Sequence, residues 1–146
     1  MLDTLIDTCV IVDYLRLNKK ATRKNPERFK KSKLARDFFY NAVNDGKAVI
    51  SVVTIKELLQ YPYISPEEEE RIISELPAAC GIIPVTYEIS VIAGNLSRQS
   101  GEYRNDHIED CYIAATAIAD NIPLYTRNPR DFDYVTHPRL KVEVPY

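Results

Sequence analysis

A chain of 146 residues with 45% hydrophobic content is the size of one domain, long enough to bury a core without covalent staples. Its three cysteines, Cys9, Cys80 and Cys111, form neither a CxxC pair nor a His-supported spacing, which excludes a disulfide framework and a zinc finger and suits a reduced, cytosolic setting. The formal charge of -2 conceals a strong polarity: ten of the nineteen Lys and Arg fall between Arg16 and Arg36, where Glu27 is the only acid, so that segment carries about +9 and the remainder about -11.

Residues 2–6 read as a short first strand. The apolar run over residues 1–17 is interrupted by Asp3, Asp7 and Asp13 and lacks a basic leader, so it is not a signal peptide. No apolar stretch is long enough to span a bilayer, and a soluble protein without membrane association is expected. Residues 9–17 (CVIVDYLRL) hold Val10, Ile11, Tyr14 and Leu15 at helical spacing, which puts Asp7 at a strand–helix junction. Residues 18–31 (NKKATRKNPERFKK) lack apolar periodicity and contain Pro26, which predicts a loop or a loosely formed arm. Its charge suits phosphate contacts with a polyanion such as RNA through Lys19, Lys20, Arg23, Lys24, Arg28, Lys30 and Lys31, or else a solvated mobile loop.

Helix resumes at Ser32 as N-cap and runs through Leu34, Ala35, Phe38, Phe39 and Val43 to the stop signal Asn44-Asp45-Gly46. Residues 48–53 (AVISVV) form a buried strand and residues 54–60 the next helix. Ser65-Pro66-Glu67-Glu68 opens another, with Ser as N-cap, Pro at the first helical position and acids in the first turn. Residues 82–85 (IIPV) are a short strand whose Pro84 argues for a strand end or a sheet edge. Residues 87–97 are helical with Ile89, Ile92, Ala93 and Leu96 on the buried stripe, and residues 106–120 (DHIEDCYIAATAIAD) are the clearest helix of all. PLYT (123–126) and KVEV (141–144) close the series as strands. This alternation predicts βαβ units in a single α/β domain, with a mainly parallel sheet covered by helices on both faces. Ligands of such sheets collect beyond the carboxyl ends of the strands.

Asp7, Glu57, Asp110 and the Asn128/Asp131 pair each fall where that fold places one edge of its sheet. A buried carboxylate without a partner is costly or takes up a proton, so the group calls for a cation, and a hydrated divalent ion such as Mg²⁺ prefers oxygen ligands. Each member also has a purely structural alternative. Asp7 can cap the helix at Cys9, Thr54-Ile55-Lys56-Glu57 reads as a capping box, Asp131 can cap a turn, and Asp106 can cap its helix while Glu109 faces solvent. Asp110 is harder to place structurally, because it stands one turn after Asp106, where like charges repel. The joint placement points to chemistry more than any single residue does.

Three blocks carry a family resemblance. Residues 5–15 (LIDTCVIVDYL), 51–58 (SVVTIKEL) and 110–132 (DCYIAATAIADNIPLYTRNPRDF) resemble, in order and spacing, the signature blocks of PIN-domain ribonucleases, closest to the VapC-type toxins of bacterial and archaeal toxin-antitoxin pairs. The IAATA and TRNxxDF elements of the third block are the most specific. The resemblance implies a PIN-like fold and an endoribonuclease dependent on Mg²⁺, with Mn²⁺ as a substitute, that is homodimeric and silenced by a cognate antitoxin. It implies Asp7 and Asp110 as the principal metal ligands, Glu57 completing the acidic triad, Asn128 or Asp131 as a fourth catalytic position, and Thr8 as support for the first ligand. Cys9 departs from the pattern, which often has Asn or Ser there, so a supporting hydrogen bond is missing or comes from Thr8.

In such a site one or two ions acidify and orient a water for in-line attack on a phosphodiester, with Glu57 or Asp106 able to accept its proton. Four rivals stand beside this reading. They are a catalytically silent RNA-binding protein using the basic arm, a housekeeping RNA-processing nuclease, a metal-free nuclease built on His107 and His137, and a phosphoryl-transfer enzyme of haloacid-dehalogenase type. The last needs a second Asp two residues after the first, where this chain has Cys9.

Overall fold

In the computed structural model, which describes residues 2–146, strands and helices alternate along the chain. They are β1 (Thr4–Ile6), α1 (Thr8–Leu15), α2 (Lys20–Arg23), α3 (Pro26–Asn44), β2 (Ala48–Ser51), α4 (Val52–Leu59), α5 (Pro66–Glu70), a π-helical turn (Arg71–Glu75), α6 (Leu76–Ala79), β3 (Gly81–Ile83), α7 (Tyr87–Ser97), α8 (Gly101–Asp106), α9 (Ile108–Asp120), β4 (Leu124–Tyr125), a 3₁₀ turn (Pro129–Phe132) and β5 (Val142–Glu143). The five strands pair in the order β3-β2-β1-β4-β5, and every pairing is parallel. Leu5 lies opposite Val49 on one side and Leu124 on the other, so β1 is the central strand.

Successive strand residues point to opposite faces of a sheet, and this chain fills both. Leu5 joins Ile89, Leu96, Tyr103, Ile113 and Ile118 under α7, α8 and α9. Ile6 and Ile50 join Val10, Ile11, Phe39 and Leu58 under α1, α3 and α4 on the other side. Each such side chain withdrawn from water contributes roughly 2 kcal/mol. Ala114, Ala115 and Ala117 are fully buried, and their small size lets α9 pack closely against α7 and the sheet. The expected α/β class, parallel sheet and two-sided cover are all present.

Four boundaries differ most from the sequence expectation. Residues 18–31 are mostly helical: α2 covers Lys20–Arg23, and α3 begins at Pro26. The N-cap of α3 is Asn25, whose Oδ1 accepts from the backbone N–H groups of Glu27 (3.1 Å) and Arg28 (3.2 Å), while Ser32 is buried inside the helix. β2 ends at Ser51, whose Oγ caps α4 by accepting from the Val53 N–H, so Thr54 is an interior helical residue and the Thr54/Glu57 capping box does not form. The long helix expected over 106–120 breaks at His107, with φ -131° and ψ 48°; Asp106 therefore ends α8 and does not cap α9. β3 is an edge strand ending just before Pro84, as its proline requires.

Candidate functional site

Parallel strands deliver their carboxyl ends to one edge, where β1 leads into Asp7, β4 into its support Thr126, and β2 into α4, which carries Glu57. Asp7 follows β1 directly and caps α1, accepting at Oδ1 from the Thr8 N–H (2.8 Å). Its Oδ2 accepts from Thr126 Oγ1 (2.7 Å), beyond β4, and from Cys9 Sγ (3.4 Å). Asp7 is only 4% exposed. Thr8 Oγ1 donates to Glu57 Oε1 (2.7 Å) and lies 2.9 Å from Thr54 Oγ1; since its one proton goes to Glu57, Thr54 donates to Thr8. A chain of hydroxyls thus ties α1 to α4 and holds Glu57 beside Asp7.

Asp110 lies in the first turn of α9, with Oδ2 2.8 Å from His107 Nδ1. The break before α9 places that imidazole, whose ring lies near those of Tyr103 and Tyr134. The carboxylate in turn holds the His107 pKa above its ordinary value. Asp131 lies in the 3₁₀ turn after β4.

These acids act on one another. Burial is the main force raising the Asp7 pKa, opposed by its hydrogen bonds to Thr126, Cys9 and Thr8, with the charge of Asp131 adding to the rise. Glu57 is likewise raised by burial, then by the charges of Asp7 and Glu109 against the Thr8 bond. Asp110 is pushed up to about 7 by burial, against its bond to His107, with the charges of Asp7, Asp131 and Glu57 pushing the same way. Four acids from four separate stretches of sequence therefore share one electrostatic environment. Of the two candidates for the fourth position, Asp131 bears on Asp7 and Asp110, whereas Asn128 supports Thr126 through its N–H (3.0 Å) and accepts from Arg127 at Oδ1 (3.2 Å).

Asp106 is exposed at the end of α8. Glu109 is not simply solvent-facing: Lys56 Nζ approaches it to 2.7 Å, bridges α4 to α9 and holds its pKa down. The two histidines are differently engaged, His107 with Asp110 and His137 in its own turn, where its Nδ1 accepts from the Arg139 N–H. Sequence reasoning misses His107 as the partner of Asp110, although i,i+3 spacing signals it. It also misses Thr126, which the TRNxxDF element contains.

Of the basic arm, Lys19, Arg28 and Lys31 line a groove of about 850 Å³, together with Arg16 and Arg127. Lys20, Arg23, Lys24 and Lys30 do not line it; Arg23 lies over the Phe29 ring and donates to Asn18 Oδ1. Glu57 belongs both to this groove and to the acidic cluster, so the two meet there.

Clustered carboxylate oxygens that are only partly compensated by neighbouring donors suit a hard divalent cation. Among the described residues no three His, Cys, Asp or Glu side chains form a ready-made ligand group.

Residues 4–138 match the family model of the PIN domain. Ribonuclease VapC1 of Methanocaldococcus jannaschii is 29% identical over 140 residues, spanning 94% of this chain and 85% of that protein. Among solved structures, the DNA-bound VapBC of Salmonella typhimurium superposes with a TM-score of 0.69 at 18% identity, over all of both chains. A toxin-antitoxin complex from Klebsiella pneumoniae gives 0.62 at 23% identity, over 99% of this chain and 98% of that one. FitAcB from Neisseria gonorrhoeae gives 0.66 at 21% identity, over 97% of each. At these identities the likeness to the solved structures establishes a common fold.

Proposed function

The chain belongs to the PIN domain family, and from that premise we propose that it is a Mg²⁺-dependent endoribonuclease, the toxin of a type II toxin-antitoxin pair. The observation that carries this reading is the convergence of Asp7, Glu57, Asp110 and Asp131 from four stretches of sequence, where burial first, and then the charges of the neighbouring acids, raise the pKa values of Asp7, Glu57 and Asp110. A fold does not maintain such repulsion for its own stability; a bound cation relieves it. Mg²⁺, or Mn²⁺ in its place, supplies charge neutralisation on the phosphodiester and a more acidic water when bound.

The chain's own residues set the geometry. Thr126 and the Thr8 N–H fix Asp7, Thr8 Oγ1 fixes Glu57, and His107 orients Asp110. Asp7 and Asp110 are the principal ligands and Asp131 the fourth acidic position. Glu57, with its raised pKa, accepts a proton from the attacking water. Asn128 and Thr8 are positioning residues.

RNA as substrate is supported by the ribonuclease of M. jannaschii, and an antitoxin partner by the toxin-antitoxin complexes that share the fold. An antitoxin that presents an Arg to the acids would compete with Mg²⁺ and silence the site. A homodimer acting in the cytoplasm completes the proposal; among the described residues no helix is long and apolar enough to cross a membrane.

The deciding experiment is cleavage of a fluorescent oligoribonucleotide by the wild type, D7N and D110N. Cleavage should require Mg²⁺, cease in EDTA, and fall at least about 10²-fold in either variant while the fold persists. Cleavage that survives EDTA and both substitutions would overturn the metal mechanism.

A further inference from the structure

The basic residues that look like a uniform arm in the sequence are divided by the fold into two sets. Helix α3 turns Arg28 and Lys31 toward a groove that Arg16 and Lys19 also line, while Lys20, Lys24 and Lys30 stay outside it. The three acids of the groove cancel only part of this charge. Asp13 is buried and taken up by Arg127 Nε (2.6 Å) and by the Tyr146 hydroxyl (2.7 Å), and Glu68 lies 3.4 Å from Lys19 Nζ. Glu57 belongs to the acidic site. Among the described residues Arg16, Arg28 and Lys31 make no ion pair.

An aromatic surface accompanies these charges. Tyr61 lines the groove at 47% exposure, with Lys19 Nζ 5.6 Å from its ring centroid, and packs edge-on against Tyr63, which is 80% exposed. An exposed ring in a groove that unpaired cations also line offers a stacking face for a nucleobase. A duplex keeps its base faces inside the stack, so only an unpaired base can use it. Arg127, held rigid by Asp13 and directly preceding Asn128, stands where the groove meets the acids.

We infer that this groove binds a single-stranded RNA segment flanking the cleaved phosphodiester, with Arg16, Arg28, Lys31 and Arg127 on phosphates and Tyr61 under an unpaired base. The inference rests on the nuclease reading for its mention of cleavage, but the binding is testable without it. An acidic protein segment would use the cations and leave the tyrosine face idle, so the aromatic surface favours RNA.

The test is fluorescence anisotropy in EDTA, where no metal-dependent cleavage occurs, with the full chain and a short unpaired oligoribonucleotide or the same sequence in a duplex. Two double variants remove equal charge: R28Q/K31Q inside the groove and K24Q/K30Q outside it. R28Q/K31Q should bind the single strand at least about tenfold more weakly and lower the slope of log Kd against log salt by about 1.4, whereas K24Q/K30Q should change Kd by less than about twofold. Y61A should cost about tenfold, Y61F should rescue the binding, and the duplex should bind more weakly than the single strand. Equal losses from both double variants, or an intact Y61A, would overturn the assignment. Unchanged RNA binding by R28Q/K31Q would do so too, leaving the groove to an acidic protein segment. Cleavage by the wild type in Mg²⁺ is scored separately: binding as described without cleavage refutes the nuclease reading alone, and cleavage with normal binding by the groove variants refutes the groove alone.

Discussion

Replacing Asp110 by Asn should stabilise the metal-free protein at alkaline pH. The folded state lifts this carboxyl from 3.8 to about 7, a change of roughly three units, chiefly by burial and then by the charges of Asp7, Asp131 and Glu57. At about 1.4 kcal/mol per unit, the ionised group costs the fold at most about 4 kcal/mol above pH 7. Because the folded pKa lies above the unfolded one, the native state binds more protons between pH 4 and 7, and stability falls as pH rises through that window. His107, also raised, works in the same direction: its contribution is complete below its unfolded pKa and is lost as pH rises through the folded one. Urea unfolding in EDTA at pH 5, 6, 7 and 8 should therefore show the wild type weakening toward pH 8. D110N should give a flatter profile and lie above the wild type at pH 8. Added Mg²⁺ should restore the wild type at pH 8 and leave D110N nearly unmoved, because a cation that binds only the native state stabilises it by mass action. Wild-type stability that rises with pH in EDTA, together with a D110N protein weaker than wild type at pH 8, would refute the account of an uncompensated acidic cluster.

Two further substitutions test the supports of the site. Thr126→Val keeps the shape of a fully buried side chain but removes the donor to Asp7 Oδ2 and the acceptor of the Asn128 N–H, so it should cost about 1–3 kcal/mol in urea unfolding and reduce RNA cleavage more than RNA binding. Asn25→Ala removes the cap of α3 and should cost about 1 kcal/mol in thermal or urea unfolding, with loss of helicity by circular dichroism and little change in the pH dependence described above.

Much of this architecture can be read from the chain. The apolar spacing over residues 87–97 defines α7 to the residue, and Ser65-Pro66-Glu67 marks the start of α5. Asn25-Pro26-Glu27 carries the same cap-proline-acid signal, but the polar composition of residues 18–31 masks it, because helix existence is judged there by an apolar stripe that is absent. At α4 two caps compete. Ser51 and Thr54 both satisfy local rules, and the choice is tertiary: Thr54 is buried and needed by Thr8, so the helix starts three residues earlier. The break at His107 has no local breaker residue, and its reason lies in contacts with Tyr103, Asp110 and Tyr134. Asp7 is visible from its strand–helix junction and Asp110 from the like charge one turn before it, whereas separating Asp131 from Asn128 requires knowing what each side chain meets.

Two of the junctions contain no slack. Asp7 follows the last residue of β1 and precedes the first of α1, and Ser51 both ends β2 and caps α4, six residues before Glu57. A helix turns by about 100° per residue, so inserting or deleting a single residue between Ser51 and Glu57 would swing the carboxylate away from Thr8 and Asp7. Among homologous chains these two stretches should therefore tolerate changes of residue while keeping their length constant, and insertions should accumulate elsewhere, as in the segments joining α1 to α3 and α4 to α5.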